Sequence, residues 1–472
     1  MKNRLIILLK NKLKQFIQAS IGPVLDRIYN VASESHRANL LLLEEFREAG
    51  KQLNDGISLL NKEITNIRNT LDVVSRKQHE IQKGRLTIIF LVHHIASIDS
   101  ILTIIWESQR RGHNTIVVSI KNLYSSTEKE RSLSEEKNHQ GLTALGIEHI
   151  RFDSIDSNKG LELIKLMNPD YIFRQSPWDY DIEEGYRSNN LRFAKLCYTP
   201  YYGIQIIKDF NLSGSSPDLH VDQDFHRAAY AIFVEKNKET LEEFHKHAKL
   251  GKTNIIPSGL PKYEYISQKL INFKTEEKNS KVILWAPHHS FSSNLLGFGT
   301  FIESYKKILK EIELLGFSLI FRPHPLFEKK LLATNKISLE EYSEFKKTIK
   351  GTPNFSFSQI ADPIEDFNRS DMLLIDGISM LATYQLTGKP IVWIDSEQHS
   401  SFTSIGQLMI ESVYRVPVSN MELLGPLLKE LLIQNNDPLK NQRGKFASII
   451  VGNGSPSKNI VNFLEKSLKL ER

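Results

Sequence analysis

The chain has 472 residues, 40% of them apolar and 25% charged, a multidomain globular composition that excludes a wholly disordered protein. Its 61 Lys+Arg against 55 Asp+Glu leave a net charge of +6, too mild to make nucleic acid the main partner. The single cysteine, Cys197, excludes an intramolecular disulfide and a cysteine-based zinc cluster and fits a reducing cytosol, and no apolar run approaches the ~20 residues that span a bilayer.

Residues 1–84 read as an arm. Its first 25 residues carry Lys2, Arg4, Lys10, Lys12 and Lys14 without one acidic residue, interleaved with Leu5–Leu9, Leu13, Phe16, Ile17 and Ile21. A helix of this make-up has a greasy face and basic flanks, suited to an anionic membrane surface. Packing on the body or on a partner is the competing reading, and a signal peptide is disfavoured because the lysines break the short apolar run. Next, Leu43, Phe46, Gly50, Leu53, Ile57, Leu60, Ile64, Ile67, Leu71 and Val74 alternate spacings of three and four. This heptad seam predicts a coiled coil and a homo-oligomer, with fold-back onto the body as the alternative. Gly84 ends the arm.

From residue 86 the pattern becomes α/β. Strands are predicted at Leu86–Val92, Thr115–Ile120, Tyr171–Phe173 and Ala229–Val234, with helices at Ile101–Trp106 and Leu161–Met167 between them. The polar stretch Ser267–Ser280 reads as a linker. Beyond it come strands at Val282–Trp285, Ser318–Phe321, Met372–Ile375 and Ile391–Ile394. Helices are predicted at Phe301–Leu315, Ile364–Phe367, Ser379–Leu386, Met421–Ile433 and Ile460–Leu468. The expected architecture is two Rossmann-like domains, 85–266 and 267–472, facing a cleft at their strand carboxyl ends, preceded by the helical arm.

Three loops of the second half follow predicted strands, where open α/β sheets bind ligands. They are Ala286-Pro287-His288-His289-Ser290, Arg322-Pro323-His324-Pro325 and Asp376-Gly377-Ile378-Ser379. Imidazoles, a guanidinium, a hydroxyl and helix-start amides suit an anionic, nucleotide-like ligand. Taken singly, each motif is as consistent with a turn as with a ligand site.

In order and spacing, these elements resemble the CDP-glycerol glycerophosphotransferase family of teichoic-acid-type polymerases and primases. The residues carrying the likeness are Ala286-Pro287, Arg322-Pro323-His324-Pro325, Ser370-Asp371-Met372-Leu373-Leu374-Ile375-Asp376-Gly377-Ile378-Ser379 and Lys389-Pro390-Ile391, with Gly259-Leu260-Pro261-Lys262 upstream. The likeness spans roughly residues 190–400 and implies a GT-B fold. This chain departs from the family at Gly377-Ile378, where Tyr-Ser is usual, at Thr383, where an aspartate is common, and at Tyr198-Thr199-Pro200-Tyr201-Tyr202-Gly203, which replaces a His-Gly-Thr-Pro segment.

The resemblance implies transfer of a polyol phosphate such as glycerol phosphate from a CDP-linked donor, with CMP leaving, to a polysaccharide or lipid-linked acceptor at the inner membrane face. A nucleotide-sugar glycosyltransferase of capsule or O-antigen synthesis and a non-catalytic glycan-assembly protein are the alternatives. Arg322 and His324 are expected to neutralise donor phosphates, helped by His288, His289 and Ser379, while Asp376 orients a hydroxyl or caps the next helix. A base is sought in His93 or His94 after the first strand, at least one of which is expected to be a core or capping histidine. An acceptor surface is sought in Arg174 and in the aromatic cluster Tyr198, Tyr201 and Tyr202, a cluster equally consistent with a packed core. No cofactor is implied, and no ligand spacing suggests a metal.

Overall fold

The computed structural model describes residues 36–81 and 85–469, except 124–127, 154, 202, 205, 208–222, 239–240, 243–244, 246–249, 272–279, 292–295, 325, 359–362, 379 and 453, together with scattered residues between 11 and 24. Most of the basic arm therefore lies outside the described residues, as do Tyr202 and Ser379. No described helix is long and apolar enough to cross a membrane.

Two parallel sheets organise the chain. The first runs in the order β3-β2-β1-β4-β5-β6-β7, from strands β1 Thr87–Val92, β2 Asn114–Ser119, β3 Ile150–Arg151, β4 Tyr171–Arg174, β5 Lys195–Tyr198, β6 Ala231–Val234 and β7 Ile255–Pro257. The second runs β10-β9-β8-β11-β12-β13, from β8 Val282–Ala286, β9 Ser318–Phe321, β10 Phe355–Phe357, β11 Met372–Ile375, β12 Ile391–Asp395 and β13 Tyr414–Pro417. Strand order reverses at β1/β4 and again at β8/β11, the two points where a doubly wound sheet opens a crevice at its carboxyl edge. β1 reads Thr-Ile-Ile-Phe-Leu-Val and every residue is buried, as a strand covered by helices on both faces requires. This is the expected pair of Rossmann-like units.

Two chain segments cross between the halves. Pro456–Lys469, the last helix, packs Ile460, Val461 and Leu464 into the same core as Ile88, Phe90 and Phe173 of the first sheet. It is pinned there by Arg111–Glu465 (2.9 Å) and by the Tyr171 hydroxyl donating to the Leu464 carbonyl (2.9 Å). The expected 267–472 unit thus gives its final helix to the first half, where its apolar stripe finds cover. In return, Ile204, Ile206 and Ile207 from the segment after β5 are buried in the core of the second half. There the Ile206 carbonyl accepts from the Thr403 N–H (2.9 Å), and a Cβ on Gly406 would stand 2.1 Å from that oxygen, so only glycine fits. The first-half helix Pro261–Ile271 also runs past the expected boundary at 266/267.

The arm's second part is one helix, His36–Ile81, and a coiled coil is not evident. Its carboxyl-terminal portion leans on the helix Ser157–Met167 and on β2 and β3, burying Asn66 and Val73 and pairing Lys62 with Asp153 at 3.1 Å. Of the seam residues, Leu53 and Leu60 are half-buried. Seam residues Phe46, Ile57 and Ile64 remain 51%, 42% and 45% exposed.

Candidate functional site

The loops at β8, β9 and β11 converge on a cavity of about 360 Å³ lined by Ala286, Pro287, His288, Arg322, His324, Gly377 and Met380, with Phe357 and Ser358 from the end of β10. Parallel pairing fixes this convergence: Trp285 is in register with Phe321, and Ala286 with Ile375, so all three loops leave the sheet at one height.

Asp376 is the keystone. It is 2% exposed and accepts from the His288 N–H (2.6 Å), the Thr300 N–H (2.7 Å) and the Thr300 hydroxyl (3.1 Å). Burial pushes its carboxyl up to about 7 against the pull of those donors. The expectation that Asp376 orients a ligand hydroxyl or caps the next helix is corrected here. It ties the His288 loop to Thr300, the residue that precedes the helix Phe301–Leu314. Gly377 lies against the His288 ring, where a Cβ would sit 2.6 Å from the imidazole.

Three imidazoles gather beside Asp376. His289 stacks on His324 with ring centroids 4.0 Å apart, and His288 stands 4.4 Å from His289. Burial holds His288 at about 3 and His289 at about 4, with neighbouring imidazoles adding to the fall, and burial lowers His324 too. All three are neutral at pH 7. The Leu326 N–H donates to His324 Nδ1 (3.1 Å), which leaves that ring's proton on Nε2, while His288 Nδ1 lies 2.7 Å from the Ser290 hydroxyl and 3.3 Å from the Ser290 N–H. The rings are neutral hydrogen-bonding groups rather than cations.

The fixed charge is Arg322. Its Nη1 donates to Asp366 (2.7 Å) and to the Ser358 hydroxyl (2.8 Å), and Ser358 donates on to the same Asp366 oxygen (2.5 Å). Asp366 is fully buried, so Arg322 has a structural duty besides any on a ligand. Neither Ser358 nor Asp366 stood out in the sequence, because their relation to Arg322 spans 36 and 44 residues.

The first half repeats this layout at β1/β4. The His93 and His94 N–H groups both donate to Gln175 Oε1 at 3.1 Å, and the Gln175 amide donates back to the His94 carbonyl (3.2 Å). His93 is 4% exposed and held at about 3 by burial, with His94 and Arg174 adding to the fall. It is a core residue, which corrects one of the two proposed bases. His94 is exposed, with Nδ1 2.8 Å from the Ser97 hydroxyl, and desolvation lowers it below its usual 6.5, opposed by Asp99 and reinforced by Lys262. Lys262, from the Gly-Leu-Pro-Lys turn, pairs with Asp99 (3.3 Å) and donates to the Tyr201 carbonyl (3.0 Å).

The expected acceptor set separates. Arg174 is fully buried, bonded to the Ser176 carbonyl (3.0 and 2.9 Å) and to Asp179 (2.5 Å) and stacked over Phe225 at 4.6 Å. Tyr198 is also fully buried, edge-on to Phe225 at 5.5 Å. Both therefore build the core, and of the described members of the set Tyr201 reaches the Lys262 cluster. Among the described residues no group of three or more His, Cys, Asp or Glu is arranged to hold a metal ion.

No family model matches the chain, and no curated protein matches it in sequence. Solved structures do match in fold. UDP-GlcNAc 2-epimerase from Neisseria meningitidis bound to UDP-GlcNAc aligns over 81% of this chain and 100% of its own, at TM-score 0.56 and 14% identity. MnaA of S. aureus with UDP aligns over 82% and 97%, at TM-score 0.53 and 15% identity. The wall teichoic acid polymerase TagF aligns over 88% and 99%, at TM-score 0.50 and 15% identity. Identities this low speak for the fold alone: the two sheets and their crossing helix make a GT-B-type pair of Rossmann-like domains.

Proposed function

We propose that the chain is a GT-B-type transferase that takes a group from a nucleotide-linked donor held in the second half and passes it to a hydroxyl presented by the first half. The observation that carries the reading is the β8/β9/β11 cavity, where Arg322 and the neutral imidazoles of His288 and His324 line a crevice at the switch point. A diphosphate needs hydrogen-bond donors, preorganised and shielded from water. The ordered motifs around it favour a CDP-linked polyol phosphate such as CDP-glycerol, with a polysaccharide or lipid-linked acceptor of the cell envelope.

In this reading the acceptor oxygen attacks the phosphorus next to the polyol, its proton passes to His94 Nε2, and CMP leaves. Arg322, His288 and His324 stabilise the charge that collects on the phosphoryl oxygens. His94 suits the role because its lowered pKa keeps it neutral near pH 7. The basic arm, with Lys10, Lys12 and Lys14, would keep the enzyme at an anionic inner membrane face, and self-association through the heptads would multiply that attachment.

Incubation with CDP-glycerol and with a panel of UDP-sugars, scoring the released nucleotide, tests the reading. Release of CMP supports phosphoryl transfer. Release of UDP moves the assignment to a nucleotide-sugar glycosyltransferase, and binding without release makes the chain a non-catalytic assembly protein.

A further inference from the structure

The loop after β4 carries an exposed ring, Tyr180, against the half-buried ring of Trp178. Trp178 and Tyr180 stack with centroids 6.1 Å apart and planes 22° from parallel, and Tyr180 is 60% exposed, the most exposed aromatic side chain among the described residues. A ring left in water forgoes the free energy of burial. A floppy loop would explain that, but this loop is braced. Buried Arg174 grips the Ser176 carbonyl and Asp179, whose carboxylate also accepts from the Ser188 N–H (3.0 Å) and hydroxyl (2.7 Å). Ser176 donates to Asp181 (2.7 Å), and its hydroxyl accepts from the Trp178 N–H (3.1 Å).

We propose that Trp178 and Tyr180 form a platform on which a sugar ring of the acceptor stacks; this rests on the transferase reading and names its acceptor class. The apolar C–H faces of a pyranose fit flat aromatic faces, as amphipathic ligands generally do. The brace matches Asp179 to Arg174 and buries Asp181, 6% exposed, beside the Ser176 hydroxyl, so the loop is suited to a neutral ring rather than an ion. Two rings are far too small for a protein interface, which needs about 1,000 Å². The place is also right: Gln175, three residues from Trp178, holds the backbone of His94.

The test measures binding of chitotetraose, cellotetraose and maltotetraose by calorimetry and tryptophan fluorescence, beside binding of CDP and UDP. Wild type should bind at least one tetrasaccharide. Trp178→Ala and Tyr180→Ala should each weaken that binding about tenfold, Trp178→Phe should stay within about threefold, and nucleotide affinity should not change. No tetrasaccharide binding by wild type, or equal binding by the Trp178→Ala/Tyr180→Ala double variant, overturns the platform. Tetrasaccharide binding that depends on Trp178, in a protein that binds neither nucleotide, keeps the platform and removes the transferase reading.

Discussion

The two halves solve one backbone problem with different chemistry. In each, a His-His pair follows the first strand, and a side chain beyond the strand across the switch point holds the loop by its N–H groups. In the first half that side chain is the neutral Gln175, with His94 left exposed beside Asp99 and Lys262. In the second it is the buried carboxylate of Asp376, and His289 stacks on His324 beside Arg322. A neutral pin with one accessible imidazole suits moving a proton. A carboxylate pin behind neutral imidazoles and Arg322 suits holding an anion.

Breaking the donor side should have the largest effect. Arg322→Lys and His324→Ala should each lower kcat/KM by about a hundredfold or more in a nucleotide-release assay. Arg322→Ala should also unfold the protein more easily, by about 3–5 kcal/mol in denaturant titration, because Asp366 is left buried without its cation.

The pins separate next. Asp376→Ala should cost about 3 kcal/mol of stability and Gln175→Ala about 1–2 kcal/mol, since only the first removes a carboxylate with three donors. Folding raises the Asp376 pKa to about 7, so the native state holds the proton more tightly than the unfolded chain. Its contribution is therefore complete in acid and is lost as pH rises through about 7. Asp376→Asn should flatten that part of the dependence of Tm on pH.

The subtlest signal is a shift in a pH profile. A base must be neutral, and His94 is lowered from 6.5, so the acid limb of kcat/KM should fall below that value and disappear in His94→Gln along with most of the rate. His93→Gln should alter stability and leave the limb in place.

The strands buried on both faces were legible from their apolar runs, and so were the three donor loops, because strand, motif and helix follow one another locally. The short strands Lys195–Tyr198, Ile255–Pro257, Phe355–Phe357 and Tyr414–Pro417 were not, since three or four residues carry no period and their place comes from neighbours in the sheet. The heptad seam located a long helix but not where it docks, which the surfaces of β2, β3 and the helix Ser157–Met167 select. Arg174 was placed on the acceptor surface because it follows a predicted strand, and Tyr198 because it forms an aromatic cluster with Tyr201 and Tyr202. Burial depends on what covers a strand end, here Phe225 and Asp179, and spacing alone does not disclose it. Asp366, Ser358 and Gln175 are known only from the fold.

Hydrogen exchange with and without saturating CDP or UDP tests the division of labour most directly. The account predicts protection at 286–290, 322–326 and 376–380, with 93–97 and 175–181 unchanged by nucleotide. Protection confined to the first-half loops, or none anywhere at saturating nucleotide, would contradict it.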